Sequence, residues 1–381
     1  MALKGIKVIE LVGLSPATFC GMLLEEFGAT VTRIDRIPYP YNPEDVFKDG
    51  KRSIALDLKK SEGRNIVIEL SKVSDVLIEN YRPGVMEKLG LGPDVLMKNN
   101  PKLTYVRLTG FGQSGTLTAR PGHDINYAAI SGILSFLGRK DEKPTPPVNL
   151  LTVFAGGGLM CAFGILATLL SRQKTGRGQI VDLAMVEGAA YLGSFLTRSQ
   201  QLLRWGKARG KNLLDTGTFY YDTYETMDGK YMSVGCLEPQ FFDTMVKTLG
   251  IEDQLSQHDD NIKGKKMLED IFRTKTQKEW SLIFESTDSC VFPVLDLMEA
   301  SEHPHNIQRQ LYVDNKDTNN IFVPNPSPKL LSTPAESSVL RPKKDEWHEI
   351  CEILTEIDYS VEKITELVRS NVILVQKGGK L

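Results

Sequence analysis

The sequence has 381 residues, and 41% of them are hydrophobic, which is enough for two domains that each bury a core. Its 46 basic and 48 acidic residues give a formal net charge of −2, which argues against a long-range attraction to nucleic acids or acidic membranes. Five scattered cysteines without a Cys-x-x-Cys pair argue against a disulfide framework and a zinc site, and they favour a reducing compartment.

Strand and helix patterns alternate over the first half of the chain. The strand patterns are, in chain order, K-V-I-E-L, T-V-T-R-I-D-R, S-I-A-L-D-L, D-V-L-I-E-N, L-T-Y-V-R-L-T and Q-I-V-D-L-A-M. Helices are predicted at residues 19–27, 65–70 and 85–98. Successive βαβ units predict a large α/β domain, with a mostly parallel sheet covered by helices on both faces.

A run without charges extends from Pro144 to Ser171 and contains N-L-L-T-V-F-A-G-G-G. Its length would allow a transmembrane helix. Prolines and three consecutive glycines interrupt the run, however, and irregular backbone is not tolerated next to lipid. We therefore predict a buried helix from about Ala155 to about Arg172.

The pattern changes after residue 186. Two strand patterns flank Met227-Asp228-Gly229, which predicts a hairpin, and helices are predicted at 240–249, 265–272 and 278–284. Thr276 and Glu279 form a capping box for the last of these. The predicted organisation is a large domain (1–186), a linker (187–220), a small α+β domain (221–315), a second linker (316–345) and a C-terminal helix that returns to the large domain (346–381).

The chain ends carry two signals about location. The N-terminus enters a strand pattern directly and lacks the features of a secretory signal, so secretion is not expected. The C-terminal Gly-Lys-Leu is similar to the Ser-Lys-Leu peroxisomal address. We expect a peroxisomal or mitochondrial protein, or a cytoplasmic one if that similarity is a coincidence.

Several charged residues lie where α/β proteins bind ligands. Asp35 occupies the place of a ribose-binding acid, but the preceding turn, V-G-L-S-P-A-T, lacks G-x-G-x-x-G and argues against a nicotinamide site. Arg36 suits a phosphate, or it is a solvated charge at a strand end. A further set either shares a polyphosphate at strand ends or consists of ordinary surface charges: Lys51, Arg52, Lys59 and Arg82.

Among the five histidines, His123 is the candidate base. It follows the F-G-Q-S-G loop and begins a predicted helix, where the helix dipole favours a neutral imidazole. The alternative is a structural histidine. His258 and His348 lie in polar segments, and residues 303–305 lack partners at metal-binding spacing.

Together these segments resemble the α-methylacyl-CoA racemase family of the class III CoA-transferase (CaiB/BaiF) superfamily over nearly the whole chain. The segments that carry the resemblance are M-A-L-K-G-I-K-V-I-E-L, G-K-R-S-I-A-L-D-L-K, R-P-G-V-M-E-K-L-G-L-G-P, R-L-T-G-F-G-Q-S-G, G-H-D-I-N-Y, F-A-G-G-G-L-M-C-A-F-G-I, M-V-E-G, V-G-C-L-E-P-Q-F and C-V-F-P-V-L. The resemblance implies a Rossmann-like large domain, a small domain and an interlocked homodimer. It also implies a 2-methylacyl-CoA substrate from fatty acid and lipid metabolism, without a metal or a redox cofactor.

The resemblance also assigns roles to residues. CoA binding is implied for Arg36, Leu56, Asp57, Leu58 and Lys59, and we add Arg82 from its basic segment. The thioester site is implied for Gly122, Asp124, Ile125, Asn126 and Tyr127. His123 matches the base on one face of the α-carbon, and Glu238 matches an acid that orients or charges this histidine.

Inversion of an α-carbon by proton transfer needs a base on each face, and it passes through an enolate that requires hydrogen-bond donors. Gly156, Gly157 and Gly158 are expected at a helix N-terminus, where their backbone would approach the thioester oxygen. The family's second base is an aspartate directly before F-A-G-G-G, and Val153 stands at that position here. A valine cannot exchange a proton, and the loss of one acid or base costs about 10²–10⁴ in rate.

Three interpretations of Val153 stay open. The chain is an impaired racemase, an acyl-CoA-binding pseudoenzyme, or an engineered or erroneous Asp-to-Val form of an active racemase. Asp124 is the candidate for a substitute base. A CoA transferase is a weaker interpretation, because the missing aspartate would be its nucleophile.

Overall fold

The structure is a computed structural model that describes residues 1–11, 13, 15–37, 45–202, 204–315, 321–342 and 344–375. The C-terminal Gly-Lys-Leu lies outside these residues. The chain divides into two compact units. The first comprises Met1–Ser131, Pro147–Leu192 and Gln310–Leu381, and the second comprises Gly132–Pro146 and Gly193–Arg309.

A seven-stranded sheet forms the centre of the first unit. Its strands are β1 (Lys7–Leu11), β2 (Thr30–Arg36), β3 (Arg52–Leu56), β4 (Val76–Glu79), β5 (Thr104–Thr109), β6 (Ile180–Ala184) and β12 (Ile373–Leu374), in the spatial order β12-β3-β2-β1-β4-β5-β6. Strands β1 to β6 pair in parallel, and β12 pairs antiparallel with β3. The predicted α/β fold with a mostly parallel sheet is confirmed.

Helices cover both faces of this sheet. They are α1 (Ser15–Glu26), α2 (Ser61–Lys72), α3 (Val85–Lys88), α4 (Pro93–Asn99), α5 (Asp124–Ile130), α6 (Met160–Thr175), α7 (Met185–Leu192), α14 (Glu346–Thr355) and α15 (Val361–Arg369), with a 3₁₀ turn at Ser338–Leu340. Ile9 faces a core completed by α2, α4, α14 and α15, whereas the adjacent Val8 faces a core completed by α1 and α6. Helices bury both faces of the sheet, and buried charged side chains within the strands form ion pairs, as Arg33 and Asp35 of β2 do.

The predicted single helix over residues 85–98 is wrong. It is divided into α3 and α4, because Gly90 adopts a left-handed φ of +70° and Pro93 begins a new helix.

The predicted start of the glycine-rich helix is also wrong. Residues Leu150–Leu159 form a π-helix that continues into α6, so the helical backbone begins before Ala155. By length and composition alone, one helix in the described part of the chain, Leu150–Thr175, could cross a membrane. Its burial is one-sided: Cys161 and Ile165 are buried, while Phe163 is 63% exposed.

The second unit is an α+β structure. Its antiparallel sheet has the order β7 (Tyr221–Glu225), β8 (Tyr231–Gly235), β9 (Val291–Pro293), and its helices are α8 (Ser194–Arg198), α9 (Pro239–Leu249), α10 (Asn261–Phe272), α11 (Gln277–Phe284), α12 (Leu297–Glu302) and α13 (Pro304–Gln308), with a 3₁₀ turn at Ile133–Phe136. The predicted hairpin and the Thr276–Glu279 capping box are both present. A further hairpin, β10 (Tyr312–Asn315) with β11 (Ile321–Pro324), falls in the first unit.

The second unit also includes residues 132–146, which the sequence analysis assigns to the large domain. Contacts explain this placement, because Arg209 donates hydrogen bonds to the carbonyl oxygens of Ser135 and Glu142.

Candidate active site

The predicted CoA-binding residues lie at the carboxyl ends of neighbouring strands. Arg36 ends β2 and pairs in register with Leu56, which ends β3. The loop after β3 is held in place, because Asp57 N donates to Val372 O at 2.9 Å and Lys59 N donates to the Asp57 carboxylate at 3.0 Å. The Leu58 carbonyl accepts from an arginine of α2, while the Leu56 side chain is buried in the core.

Arg36, Lys59 and Arg82 have exposed side chains at this edge of the sheet. Arg82 follows β4, next to the start of α3. Among the described residues, none of the three forms an ion pair. These cations are therefore available to phosphate groups, which is the chemistry of their predicted role.

Lys51 and Arg52 do not lie at this edge, so the polyphosphate interpretation fails for both, and the surface-charge interpretation also fails for the buried Lys51. Lys51 Nζ donates to Glu10 at 2.7 Å, and both side chains are fully buried. Arg52 donates to Glu356 at 2.6 Å. Both residues precede or begin β3, so they lie at the opposite end of that strand from Leu56.

Asp35 is also occupied by a structural partner. It is buried, and its carboxylate accepts from Arg33 at 2.7 Å. Burial raises the pKa of Asp35 even though Arg33 opposes this effect. A buried, ion-paired carboxylate is not accessible to the hydroxyl groups of a ribose. This agrees with the missing glycine fingerprint, which also argues against a nicotinamide site.

His123 lies directly before α5, in the loop that follows β5. Its backbone N–H donates to Asn126 Oδ1 at 3.0 Å, and its carbonyl accepts from the backbone N–H groups of Asn126 and Tyr127. The imidazole is exposed and forms no ion pair with any described residue. The structure thus combines a fixed backbone with an exposed side chain, which suits a general base.

Asp124 follows His123 and is only 3% exposed. Its Oδ1 accepts from Thr152 N at 2.9 Å, Thr152 Oγ1 at 2.5 Å and Val153 N at 3.1 Å, and its Oδ2 accepts from Asn149 N at 3.2 Å. The three backbone donors are N–H groups at the start of the π-helix, where such groups have no partner within the helix. Asp124 therefore caps the π-helix, and its occupied oxygens argue against a role as the substitute base.

Val153 is half-buried and packs against the core formed by α1 and α6. Its backbone is fixed by Asp124, and the next residue, Phe154, contacts Phe19 and Phe47 edge-on at ring distances of 5.3 and 5.6 Å. Position 153 is thus firmly held and carries a hydrocarbon side chain. It offers no group for proton transfer.

The three glycines are interior residues of the π-helix, so their expected place at a helix N-terminus is wrong. All three are buried. A Cβ on Gly156 would lie 2.8 Å from the Ala189 backbone nitrogen in α7, and a Cβ on Gly158 would lie 2.6 Å from the Phe19 ring in α1. Close packing of helices accounts for these glycines, and their role as oxyanion donors stays a prediction.

Glu238 belongs to the second unit, where it precedes α9 at the N-cap position and has an exposed side chain that makes no capping hydrogen bond. Gln257 holds the preceding backbone, because its Nε2 donates to Cys236 O at 3.2 Å and Leu237 O at 2.9 Å. Sequence reasoning missed Gln257, since no motif marks it. A cavity of about 390 Å³ is lined by Arg204, Leu213, Tyr220, Leu237, Glu238, Pro239, Gln257 and His258.

The described residues contain neither a disulfide nor a metal-binding cluster. The five cysteines are free thiols. No group of three or more His, Cys, Asp or Glu side chains in the described ranges is arranged to hold a metal ion.

Comparison with known proteins places the chain in a family. The family model described as CoA-transferase family III matches residues 3–347. Alpha-methylacyl-CoA racemases are 48% identical in Homo sapiens and 46% identical in Mus musculus, over 98% of this chain and 98% of each racemase. A CaiB/BaiF family protein from Brucella suis shares the fold with a TM-score of 0.79 at 22% identity, over 93% of this chain and 99% of that one. This chain therefore belongs to CoA-transferase family III, in the group that contains the α-methylacyl-CoA racemases.

Proposed function

We propose that this enzyme racemises 2-methylacyl-CoA thioesters. The observation that carries the proposal is the 48% identity to the human α-methylacyl-CoA racemase over nearly the full length of both chains. The exposed imidazole of His123 supports it, as do Arg36, Lys59 and Arg82, which form no ion pair among the described residues.

The proposed reaction begins when His123 accepts the α-proton of the thioester. The electron pair of the broken C–H bond moves into the C–C bond to the carbonyl, and negative charge grows on the thioester oxygen. Return of a proton to the opposite face of the α-carbon completes inversion. No metal or redox cofactor is needed for these steps.

Val153 makes the two faces unequal. His123 serves one face of the α-carbon, whereas the side chain at position 153 cannot deliver a proton to the other. Water is the remaining proton source on that face. We therefore propose that exchange of the α-proton with solvent is faster than inversion in this protein.

A second candidate is an acyl-CoA-binding pseudoenzyme, which Val153 specifically favours. The cations at the carboxyl edge would retain the thioester, and turnover would be lost. An engineered or erroneous residue in place of an aspartate is the third interpretation. CoA transfer is supported least, because it needs a carboxylate nucleophile at position 153.

We also propose a homodimer. The outer face of α6 exposes Phe163, Leu166 and Leu170, and Tyr191 of α7 is 67% exposed. An exposed apolar helix face such as that of α6 marks a protein–protein interface. Sedimentation should give a dimer mass, and a monomer at micromolar concentration would contradict this proposal. We further propose a location in peroxisomes or mitochondria and a role in fatty acid metabolism.

The proposed function is tested with a single epimer of a 2-methylacyl-CoA in D₂O. Mass spectrometry follows α-deuteration, and chiral chromatography follows inversion. Deuteration that outpaces inversion is expected. Deuteration and inversion at equal, rapid rates would contradict the proposed effect of Val153. Binding of the thioester without deuteration would support the pseudoenzyme instead of the racemase.

A further inference from the structure

We infer that Tyr127 is a positioning residue that fixes the backbone at His123, and that it does not contact the substrate. This inference rests on the proposed function, in which His123 is the base. It differs from the role implied by the family resemblance, which places Tyr127 in the lining of the thioester site.

The hydroxyl of Tyr127 is already engaged. Tyr127 is 5% exposed, and its Oη donates to Gly122 O at 2.6 Å. Burial raises the pKa of Tyr127 above its usual range, so the phenol stays protonated and remains a donor. The ring packs edge-on against Phe111 with centroids 5.1 Å apart.

Two glycines leave room for this ring. A Cβ on Gly110 would lie 2.3 Å from Tyr127 Cε1, and a Cβ on Gly122 would lie 2.7 Å from the same atom. Neither distance is compatible with a real contact, so the ring occupies the space that side chains would need. The loop between β5 and α5 is therefore built around Tyr127.

These contacts fix the chain on both sides of His123. Tyr127 holds the carbonyl of Gly122, which belongs to the peptide directly before His123. Asn126 accepts from the His123 N–H, and the N–H groups of Asn126 and Tyr127 donate to the His123 carbonyl. A displacement of a catalytic group by about 1 Å costs up to about 10²-fold in rate, so this anchoring bears directly on proton transfer.

The test is Tyr127→Phe, which removes the hydroxyl and keeps the ring. Tyr105→Phe is the matched control, because Tyr105 is also buried and its Oη donates to a backbone carbonyl, Leu91 O, at 3.0 Å in the other core. Both variants should lower Tm by similar amounts. Only Tyr127→Phe should lower kcat for α-deuteration, by about tenfold or more, with KM changed less than about twofold.

A second measurement does not depend on turnover. The imidazole of His123 is titrated by NMR in the free protein, with its resonance assigned through His123→Gln. Tyr127→Phe should change the chemical shifts and the titration of His123, and Tyr105→Phe should leave them unchanged. If the wild-type protein shows no deuteration, the proposed function fails and this titration still decides the inference.

Two results would overturn the role of Tyr127. A raised KM with unchanged kcat would show that Tyr127 contacts the substrate. Behaviour equal to that of Tyr105→Phe in both the kinetics and the titration would show a purely structural role.

Discussion

Strand β3 has a lysine near each end, and the two lysines are in opposite states. Lys51 precedes the strand and is buried in an ion pair with Glu10, whereas Lys59 follows the strand and is exposed without an ion pair among the described residues. The same contrast extends along the sheet. Arg52 at the amino end of β3 is bound to Glu356, while Arg36 and Arg82 at the carboxyl ends form no ion pair among the described residues. Arg107 near the end of β5 is an exception, because it pairs with Glu79 and Glu87.

At β3, this difference teaches that the end of the strand at which a lysine lies decides whether it is buried in an ion pair or exposed. Substitution of Lys59 at the carboxyl end should change affinity with little effect on stability, and substitution of Lys51 at the amino end should do the reverse. Lys51→Met and Lys59→Met test this division, and Val153→Asp and Asp124→Asn test the site beside it.

Val153→Asp should have the largest effect. A carboxylate would then serve the face of the α-carbon opposite His123, and inversion should rise by about 10²–10⁴-fold. Chiral chromatography of the thioester measures this change. Val153→Asn is the control for size and polarity, and an equal gain in both variants would contradict the assignment of a second base.

Lys51→Met should lower the free energy of unfolding by about 3–5 kcal/mol, because the Glu10 carboxylate would lose its partner in the core. Urea denaturation gives the value. Lys59→Met is the matched control, and its stability should stay near that of the wild type. Equal losses of unfolding free energy in the two variants would contradict the different roles of the lysines at the two ends of β3.

Asp124→Asn should cost about 1–3 kcal/mol. An amide retains one acceptor oxygen, but its NH₂ group would face the backbone N–H of Asn149 or the donors at residues 152 and 153. Asp182→Asn is a suitable control, because the structure shows a single backbone donor, Gln113 N, on that carboxylate. Loss of α-deuteration at unchanged stability would instead identify Asp124 as a base.

Lys59→Met should raise the Kd for CoA by about two- to fivefold, the smallest of these effects, since an exposed ionic contact contributes about 1 kcal/mol or less. Calorimetry at two salt concentrations measures it, and the effect should shrink at high salt. An unchanged Kd would show that Lys59 does not contribute to CoA binding.

The sequence predicts the sheet well because its strand segments are short, rich in β-branched residues and bounded by turns. The segment T-V-T-R-I-D-R coincides with β2, and strand polarity follows from the βαβ order. The interpretation of Lys51 and Arg52 as polyphosphate ligands fails because their segment precedes a strand instead of following one. The local sequence around a basic residue does not show at which end of a strand it lies.

The π-helix could not be predicted for a different reason. Its first donors are satisfied by Asp124, a residue 28 positions before Thr152, so the start of the helix depends on tertiary contact. Likewise, the glycines at 156–158 serve packing against α1 and α7, and no periodicity distinguishes such packing from approach to a ligand. Val153, in contrast, was visible in the sequence because the residues around it match the family without a gap.

Strand β12 has a consequence for the stability of the protein in the cell. It covers the edge of β3, where Ile373 and Leu374 pair with Leu56 and Ala55. An uncovered edge strand is a template for intermolecular β-pairing. Proteolytic removal of Val372 together with β12 would therefore expose an aggregation-prone edge and would remove the carbonyl that accepts from Asp57 N in the loop after β3. This short segment thus protects the edge of β3 and the loop that follows it.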